Sequence, residues 1–478
     1  DFVFSAIRVG GTEGRATEET IAHCCEVLGQ ETTGFGGLNY ALRGIPTAIR
    51  IAETIARLAP RAHLINFTNP AGIITEVSSR ILGDRVIGIC DSPVGLARRV
   101  LDTLEGAGLV AAGTASRVIA GDDRVRLDYV GLNHLGWLQR LLVDGDDVLP
   151  LLLERPDLIE SFEEGRLFGA EWLRQLGSVP NEYLHYYYFA RETRKADDAV
   201  EATRGVFLAA QQLDFYTRAA ALPDPEAYAL WEATRLRREE TYMASNRLAA
   251  GGVERDAQDL ASGGYDRVAL AVMKAIAFDE TTDLIVNLRN GDRLPELPRD
   301  AVIEAPCRIG ATGPVPLPIS PLPEHAVGLV QSVKYAERTI IRAALEGSLD
   351  LAVAAFAHHP EQGRLTIDDF QALTRQPWFN AAGLLVAHHD DEVAGFHWTK
   401  RHDANLGEVY VLAVRPGHGG AGLGRALLTA GLAHLHTVGC EDVELYVEAS
   451  EERVVALYTA TGFRTLNVDT AYRRGDTP

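Results

Sequence analysis

The sequence lacks the long apolar run that a membrane-spanning helix needs, since no segment of its 478 residues approaches about 20 consecutive apolar positions. It also lacks internal repeats and low-complexity tracts, which argues against a solenoid and against a long disordered region. Hydrophobic residues make up 46% and charged residues 23% of the chain, ordinary values for a globular protein. We therefore expect a soluble protein without a membrane anchor or signal peptide.

Positive charge is scarce, because 46 Lys and Arg residues stand against 66 Asp and Glu residues, a net charge of -20. Binding to a nucleic-acid backbone requires a basic face, and the sequence shows none. We expect a small-molecule ligand, and neither nucleic acid nor membrane as a partner.

Cysteine is also sparse, and no two cysteines form a C-x-x-C pair. The five are Cys24, Cys25, Cys90, Cys307 and Cys440. Their odd number and scattered positions are typical of reduced thiols, which predicts a cytoplasmic protein.

The length predicts two or three domains, because a single hydrophobic core stops growing at roughly 250 to 300 residues. Residues 1–150 alternate short β-rich runs with helical patterns, the signature of a Rossmann-like parallel sheet with crossover helices. Residues 151–352 are mainly helical, and later residues become β-rich again. We predict an α/β fold with a sheet domain over 1–150, a mainly helical domain over 151–352 and a third domain over 354–478.

Polar residues cluster where strands of the first domain are expected to end, in the segments NFTNPAG, ICDSPVG and GLNHLGW. The carboxyl ends of parallel strands form the ligand-binding edge of such a sheet. A Cys90 thiolate and a His134 imidazole could share a metal ion there, such as Mn, Fe, Co or Zn. The alternative is that Cys90 packs as a small buried hydrophobe, since one cysteine with one histidine does not specify a metal site.

Three further residues have both a functional and a structural interpretation. Tyr183, in VPNEYLHYYYF, could act as a base if a nearby metal ion or cation lowered its pKa, or it could line a core. Arg15 and Arg204 are surface arginines unless they lie in a cleft, where their planar guanidinium groups would suit a phosphate.

Eight segments in order, among them LGQETTGFGGLNYALRGIP, INFTNPAGIITE, GICDSPVGL and LDYVGLNHLGW, resemble the family-four glycoside hydrolases over residues 1 to about 352. The resemblance is specifically to the 6-phospho-β-glucosidase group. It implies NAD and a divalent metal, manganese above all, as cofactors. It also implies a phosphorylated disaccharide or glucoside as substrate, and a homo-oligomer.

The chemistry that this resemblance implies begins with oxidation of the sugar at C3 and loss of the C2 proton. The aglycone is then eliminated, water adds, and the hydride returns. By position, the resemblance assigns two metal ligands, a C2 base and a leaving-group acid: Cys90 and His134, Tyr183, and Asp91. Arg15, Asn69 and Arg204 resemble substrate contacts, and the two arginines suit the 6-phosphate.

The sequence departs from the family in two places. The strand, Gly-rich turn and helix that hold the NAD pyrophosphate are expected before DFVFSAI, so we expect about the first half of the dinucleotide fold to be absent. The segment GFGG at 34–37 does not replace it, because it does not lead from a strand into a helix with the required spacing. The stretch from Glu105 to Asp122 is also longer than the family usually has.

A second Gly-rich turn lies in VYVLAVRPGHGGAGLGRALLTAG, where Gly417, Gly419 and Gly422 fit G-x-G-x-x-G and Glu444 stands at the distance of a ribose contact. This pattern alone would predict NAD. The context instead resembles the GNAT acetyltransferases, and more narrowly the C-terminal half of the mycothiol synthases. The resemblance implies a GNAT α+β fold, with acetyl-CoA as cosubstrate, its pyrophosphate at a helix start, and an amine as acceptor.

The GNAT resemblance assigns residues to three roles. Glu361 and Lys400 resemble substrate contacts. Glu408 and Tyr458 resemble catalytic residues. The acetyl-CoA contacts would be Leu412, Ala413, Val414, Gly419, Gly420, Ala421, Gly422, Leu423, Gly424, Arg425 and Tyr446.

The segment LEGSLDLAVAAFAHHPEQG is shared by both resemblances, which places the join near residues 352–360. Three hypotheses remain open: both units are enzymes, only the acetyltransferase works, or the hybrid is inactive because its nucleotide-binding part is missing. Metal content separates the first from the others, and acetyl-CoA affinity separates the second from the third.

Overall fold

The computed structural model describes residues 1–24, 27–197, 199–200, 202–252, 255, 265–358, 384–389, 392–401, 405–414, 422–445 and 452–465. The chain divides into two compact units, Asp1–Ile367 and Asp368–Pro478. None of the described helices combines the length and the apolar character that crossing a bilayer requires.

The described strands of unit 1 form one sheet of ten: β1 Phe2–Ser5, β2 His63–Asn66, β3 Val86–Gly88, β4 Val125–Leu132, β5 Leu135–Val143, β6 Asp146–Asp147, β7 Val179–Pro180, β8 Thr282–Arg289, β9 Val302–Gly310 and β10 Gly313–Pro316. Their order is β1-β2-β3-β8-β9-β4-β5-β6, with β10 on β9 and β7 on β5. The strands β1, β2 and β3 pair in parallel. The other described pairings of this sheet are antiparallel.

The described helices of unit 1 are α1 Gly11–Cys24, α2 Gly34–Leu58, α3 Ala71–Leu82, α4 Ser92–Gly106, α5 Thr114–Ala120, α6 Leu149–Leu153, α7 Pro156–Ile159, α8 Glu163–Phe168, α9 Ala170–Leu176, α10 His185–Tyr188, α11 Ala190–Asp197, α12 Arg204–Ala219, α13 Asp224–Glu240, α14 Ala244–Ala249, α15 Tyr265–Phe278, α16 Glu324–Glu346 and α17 Leu349–His358. Short 3₁₀ turns cover Gly83–Arg85 and Glu182–Leu184.

The long helix α2 covers one face of the parallel half of the sheet. Ala52 and Ile55 of α2 form one buried cluster with Leu64 of β2 and Val86 of β3. The residues of β2 and β3 are almost all buried, as is typical of parallel strands covered on both faces. At the other end of unit 1, α17 packs against α16 and α2, so the start of the shared segment forms the last described helix of unit 1.

The structure differs from the sequence prediction at Val125–Leu132, which was expected to be one more strand of a parallel sheet. This strand, β4, pairs antiparallel with β5 as far as Leu132 and Leu135, so only Asn133 and His134 join the two. A two-residue connection can close an antiparallel hairpin, whereas a parallel pair needs a crossover of a dozen or more residues. The sheet is therefore mixed and Rossmann-like in its β1 to β3 half.

Unit 2 has a four-stranded sheet in its described residues, with β11 Leu384–His389, β12 Glu392–Arg401, β13 Leu406–Val414 and β14 Asp442–Glu444. The first three strands are antiparallel in chain order, and β14 is parallel to β13. The helix α18, Leu423–Thr437, supplies the crossover that this parallel pair needs, and α19 covers Glu452–Ala460. Val409, Leu428 and Tyr458 are buried together between sheet and helices.

Replacement of Gly431 by alanine is expected to destabilise unit 2 by about 1–3 kcal/mol, the usual result of overpacking a core. A Cβ atom on Gly431 of α18 would overlap ring atoms of His397. That ring is fully buried, and its Nδ1 donates a hydrogen bond of 2.8 Å to the carbonyl oxygen of Leu427, so it cannot withdraw without breaking this bond. Hydrogen exchange of the α18 amides, followed by mass spectrometry, measures the loss.

Gly424→Ala is the matched control, because a Cβ atom there would meet Val414 at 3.5 Å, an ordinary contact. Exchange in α18 should be unchanged or slower in this variant, since alanine favours helix over glycine. Equal exchange rates in the Gly431→Ala variant and the wild type would show that the contact with His397 is not tight.

Candidate active site

The carboxyl ends of β1, β2 and β3 open into a cavity of about 980 Å³. Residues that directly follow each of these strands line it, namely residues 6–8 after β1, Phe67 and Asn69 after β2, and Asp91 and Ser92 after β3. This is the edge at which parallel α/β sheets bind their ligands. Four residues singled out in the sequence line the cavity: Arg15, Asn69, Asp91 and Tyr183.

Cys90 and His134 meet beside this cavity, next to Asp91 and Tyr183. The Sγ atom of Cys90 lies 3.6 Å from Nε2 of His134, and both residues are buried. The two are close although β3 and β4 are not neighbours in the sheet. Four residues that pair in succession on adjacent strands connect β3 to β4 across β8 and β9: Gly88, Asn287, Glu304 and Gly131.

The orientation of the His134 ring is set by its turn and by two neighbours. His134 occupies the hairpin turn with φ at 61°, in the left-handed region. Its Nδ1 is hydrogen-bonded to Oγ1 of Thr32 at 3.0 Å, and the Thr32 hydroxyl donates to Oε1 of Gln30 at 3.0 Å. The ring also stacks on Tyr183, with centroids 3.7 Å apart and planes 6° from parallel. The Thr32 hydroxyl therefore accepts from Nδ1, which leaves the lone pair of Nε2 facing Cys90.

Burial controls the protonation of both groups. It raises the pKa of the Cys90 thiol well above its usual value, and Glu304 and Asp91 act in the same direction. Burial lowers the pKa of His134 to about 3, against the opposing effect of Glu31. The imidazole is therefore neutral, the form that binds metal ions, whereas the thiol becomes a ligand only when a cation displaces its proton.

The pair fits a divalent cation in an open site. A thiolate and an imidazole are ligands for Zn and for other first-row transition ions. In the described part of the chain, no group of three or more His, Cys, Asp or Glu residues is arranged to hold a metal ion. Two protein donors leave the remaining coordination positions to water and substrate oxygens, as a catalytic site requires.

Tyr183 lies at the wall of the cavity with a second tyrosine. Its backbone N–H donates to Oδ1 of Asn181, which fixes the start of the 3₁₀ turn. Its hydroxyl oxygen accepts a hydrogen bond of 2.8 Å from the hydroxyl of Tyr242. Burial raises the pKa of Tyr183 well above its usual value, and the hydrogen bond from Tyr242 opposes that rise.

Arg15 is held by carboxylates. Its Nε donates to Glu19 at 2.7 Å, and its NH1 lies 2.7 Å from Oε2 of Glu31. Burial raises the pKa of Glu31, but Arg15 and Arg8 outweigh burial and hold it below the usual value. A phosphate at Arg15 would therefore compete with two acidic side chains, Glu19 and Glu31.

Arg204 is not among the residues that line the cavity. Its guanidinium donates to the hydroxyl of Thr241 and, at 2.7 Å, to the carbonyl oxygen of Arg238. Burial lowers its pKa to about 10, with Arg15 and Arg238 acting in the same direction. In this structure Arg204 fastens the start of α12 to the end of α13.

Several lining residues were not singled out in the sequence. Arg238 and Arg267 are exposed arginines of the cavity that form no ion pair within the described part of the chain. The others are polar or aromatic: Glu31, Thr32 and Tyr242. The polar segment GQETTG before α2 could have indicated Glu31 and Thr32, whereas no motif in the sequence marks Arg238.

In unit 2, the residues assigned to catalysis lie in and beside the sheet. Glu408 is a buried residue of β13, opposite Lys400 in β12 and Glu444 in β14. Tyr458 of α19 is buried against Phe463, with ring centroids 5.8 Å apart, and burial raises its pKa.

The assigned acetyl-CoA residues fall on two elements where the structure describes them. Leu412, Ala413 and Val414 end β13, and Gly422 precedes α18, which begins with Leu423, Gly424 and Arg425. Gly422 has φ at 87°, a backbone conformation that favours glycine. Glu361, Gly419, Gly420, Ala421 and Tyr446 lie outside the described residues, as do the side chains of Lys400 and Ala413.

Comparison with protein families divides the chain in the same two parts. The family 4 glycosyl hydrolase model matches residues 1–105, and the C-terminal domain model of that family matches residues 129–361. The acetyltransferase (GNAT) family model matches residues 353–463. The two matches share residues 353–361, where the sequence placed the join.

Individual relatives agree with this division. The "Probable 6-phospho-beta-glucosidase" of Bacillus subtilis is 30% identical over 368 residues, covering 75% of this chain and 74% of that protein. A solved 6-phospho-beta glucosidase from Thermotoga maritima, with manganese, NAD+ and glucose-6-phosphate, has a TM-score of 0.58 and 26% identity, covering 78% of each chain. The mycothiol acetyltransferase of Streptomyces avermitilis is 47% identical over 146 residues, which are 29% of this chain and 47% of that protein. The chain thus spans about half the length of this acetyltransferase relative.

Proposed function

The chain belongs to family 4 of the glycosyl hydrolases over residues 1–105 and 129–361, and we propose that unit 1 acts on 6-phospho-β-glucosides with a divalent cation. The observation that carries the proposal is the contact of 3.6 Å between Cys90 and His134 at the ligand-binding edge of the sheet. Manganese is the proposed ion, because the Thermotoga maritima relative holds it. A bound cation supplies Lewis-acid stabilisation of negative charge on sugar oxygens.

The chain's own residues handle protons in this proposal. As a phenolate, the form that a nearby cation would favour by lowering its pKa, Tyr183 accepts the proton from C2 of the sugar, with Tyr242 hydrogen-bonded to its oxygen at 2.8 Å. Asp91, the first residue after the Cys90 ligand and a cavity residue, gives a proton to the oxygen of the departing aglycone. Asn69, a cavity residue three positions beyond the end of β2, contacts sugar hydroxyls in this proposal. The pairing of one base with one acid balances the elimination, since the proton lost at C2 and the proton gained by the aglycone are both accounted for.

The described residues do not include the glycine-rich turn that usually holds the NAD pyrophosphate. Three parallel strands are present, and none of the turns after them carries G-x-G-x-x-G. In the described sheet, β1 pairs with β2 and with no other strand. NAD is a proposed cofactor because the solved Thermotoga maritima relative contains it.

Release of phenol from phenyl β-glucoside 6-phosphate tests the proposed reaction. The full chain, supplied with Mn²⁺ and NAD, is expected to release phenol, and chelation of the metal should stop it. A glucoside already oxidised to a ketone at C3 needs no NAD for the elimination. If this ketone is also not cleaved in the presence of Mn²⁺, the proposed reaction is wrong.

Replacement of Arg238 by methionine is expected to weaken binding of glucose 6-phosphate by about 10- to 100-fold, the range for a lost hydrogen bond between charged groups. Arg238 lines the cavity and forms no ion pair within the described residues, although it is near enough to Glu31 to help lower the pKa of that carboxyl group. Isothermal titration calorimetry with Mn²⁺ present measures the affinity.

Arg237→Met is the matched control, because Arg237 is the preceding residue of α13, pairs with Glu240 at 3.3 Å and is not among the cavity residues. Its affinity for glucose 6-phosphate should equal that of the wild type. Equal losses in both variants would indicate a general effect of the charge of α13, and no loss in either would exclude Arg238 as a phosphate ligand.

Unit 2 carries an acetyltransferase domain, for which we propose transfer of an acetyl group from acetyl-CoA to an amine, as in a mycothiol acetyltransferase. The supporting observation is the glycine at φ 87° that directly precedes α18, where free backbone N–H groups of a helix start suit a pyrophosphate. Calorimetric titration of the full chain with acetyl-CoA tests this. Binding of acetyl-CoA supports the proposal. If acetyl-CoA does not bind, the proposed acetyltransferase activity of unit 2 is wrong. Self-association and a cytoplasmic location stay predictions.

A further inference from the structure

Residues on one side of helix α13 form a stripe that begins in the cavity and runs away from it along the helix. At about 100° per residue, Tyr228, Trp231, Arg235, Arg238 and Glu239 fall within a stripe about 100° wide. The last three of these residues line the cavity. The stripe therefore extends, by one to two helical turns beyond Arg235, to two aromatic rings.

The two aromatic rings, those of Tyr228 and Trp231, contact each other but are not part of the hydrophobic core. The centroids of Tyr228 and Trp231 are 5.6 Å apart and their planes are 30° from parallel. Tyr228 is 66% exposed and Trp231 is 45% exposed, and no described residue of α13 is buried. Exposed aromatic surface of this kind is typical of a ligand or partner site, because the rings contribute little to the core.

The neighbouring helix α12 also carries cavity residues followed by aromatic residues on the same face. Leu208 and Gln212 of α12 line the cavity, and Phe215 lies on the same face by helical spacing. Phe215 contacts Tyr216 edge-to-face, with ring centroids 5.1 Å apart. Since α12 and α13 pack against each other, aromatic rings follow the cavity residues on both helices of this hairpin.

We propose that Tyr228 and Trp231 form the aglycone-binding platform of unit 1, which selects 6-phospho-glucosides whose aglycone contains a ring. This inference rests on the proposed function and goes beyond it by naming the substrate class. A flat ring, whether aryl or pyranose, offers a face that stacks on aromatic side chains. Trp231 lies about 10 Å along the helix axis from Arg238, so the arginine would hold the phosphate and the aromatic pair the opposite end of the substrate.

Replacement of Trp231 by alanine in the full chain tests the platform. With Mn²⁺ present, calorimetry compares glucose 6-phosphate, methyl β-glucoside 6-phosphate, phenyl β-glucoside 6-phosphate and cellobiose phosphorylated at O6 of its non-reducing glucose. The variant should bind the two ligands with a ring aglycone about 3- to 10-fold more weakly, the range for one aromatic contact. Its affinity for the first two ligands should not change. The phenyl and cellobiose arms show which kind of ring is preferred.

Leu213→Ala is the control, because Leu213 is 71% exposed in the same hairpin but lies on the face of α12 opposite Leu208. It should change none of the four affinities. If the Trp231 variant binds both ring ligands as tightly as the wild type does, Tyr228 and Trp231 are not an aglycone-binding platform. The same conclusion follows if light scattering shows a changed oligomeric state of the variant while its ligand preference is unchanged. Failure of the wild type to bind glucose 6-phosphate would instead show that the proposed function is wrong, whatever Trp231 does.

Discussion

Replacement of Cys90 by alanine is expected to weaken Mn²⁺ binding by more than about 100-fold. Loss of a residue that only supports a metal ligand usually weakens metal binding by about 10- to 100-fold, and loss of a ligand itself should cost more. Cys90 supplies one of only two protein donors that the described residues bring together, at 3.6 Å from Nε2 of His134. Without the thiolate, the imidazole alone would have to hold the ion. Electron paramagnetic resonance of free Mn²⁺, with glucose 6-phosphate present, measures the affinity.

Cys307→Ala controls for the loss of a buried thiol. Cys307 is a fully buried residue of β9 whose Sγ contacts the carbonyl oxygen of Ala305, and burial raises its pKa to about 12. Its removal should leave Mn²⁺ affinity unchanged. Equal affinity in the Cys90→Ala variant and the wild type would exclude Cys90 as a ligand.

Replacement of Tyr183 by phenylalanine is expected to slow cleavage of the C3-oxidised phenyl glucoside 6-phosphate by about 100- to 10,000-fold, the range for a lost general base. The variant keeps the ring that stacks on His134 at 3.7 Å and removes only the oxygen that accepts the C2 proton. Because the ketone is already present, this assay reports proton removal without any requirement for NAD. The rate of phenol release is the measurement, with Mn²⁺ affinity checked separately.

Tyr188→Phe is the matched control from the same segment. The hydroxyl of Tyr188 accepts a hydrogen bond of 3.1 Å from Trp137, and Tyr188 is not among the residues that line the cavity. Phenol release should be nearly unchanged in this variant. A rate for Tyr183→Phe within a few-fold of the wild type would assign the base to another residue.

The sequence was informative about the parallel half of the site. Asn69 and Asp91 each follow a short apolar strand, and the rule that ligands bind at the carboxyl ends of parallel strands places both at one edge. The structure has both in the cavity wall. His134 could not be placed by that rule, because β4 is antiparallel and reaches the site through a two-residue turn. Its contact with Cys90 depends on packing across two intervening strands, β8 and β9.

The sequence was less informative about the arginines. Arg204 was proposed as a phosphate contact from its family position, yet its donors are taken up by Thr241 and by a backbone carbonyl. Arg238, which lines the cavity, had no motif to mark it. Which arginine remains available is decided by the side chains around it, and that information is absent from a residue's type and spacing. The roles assigned to Arg15 and Arg204 stay predictions, as do those in unit 2 that lie outside the described residues.

Diffraction data collected at the manganese absorption edge, from crystals grown with Mn²⁺ and glucose 6-phosphate, test the central claim most directly. We expect one anomalous peak within bonding distance of both Sγ of Cys90 and Nε2 of His134, with sugar oxygens completing the coordination of the ion and the phosphate at Arg238. A peak elsewhere, or a sugar phosphate bound in the cavity with no metal between Cys90 and His134, would contradict it.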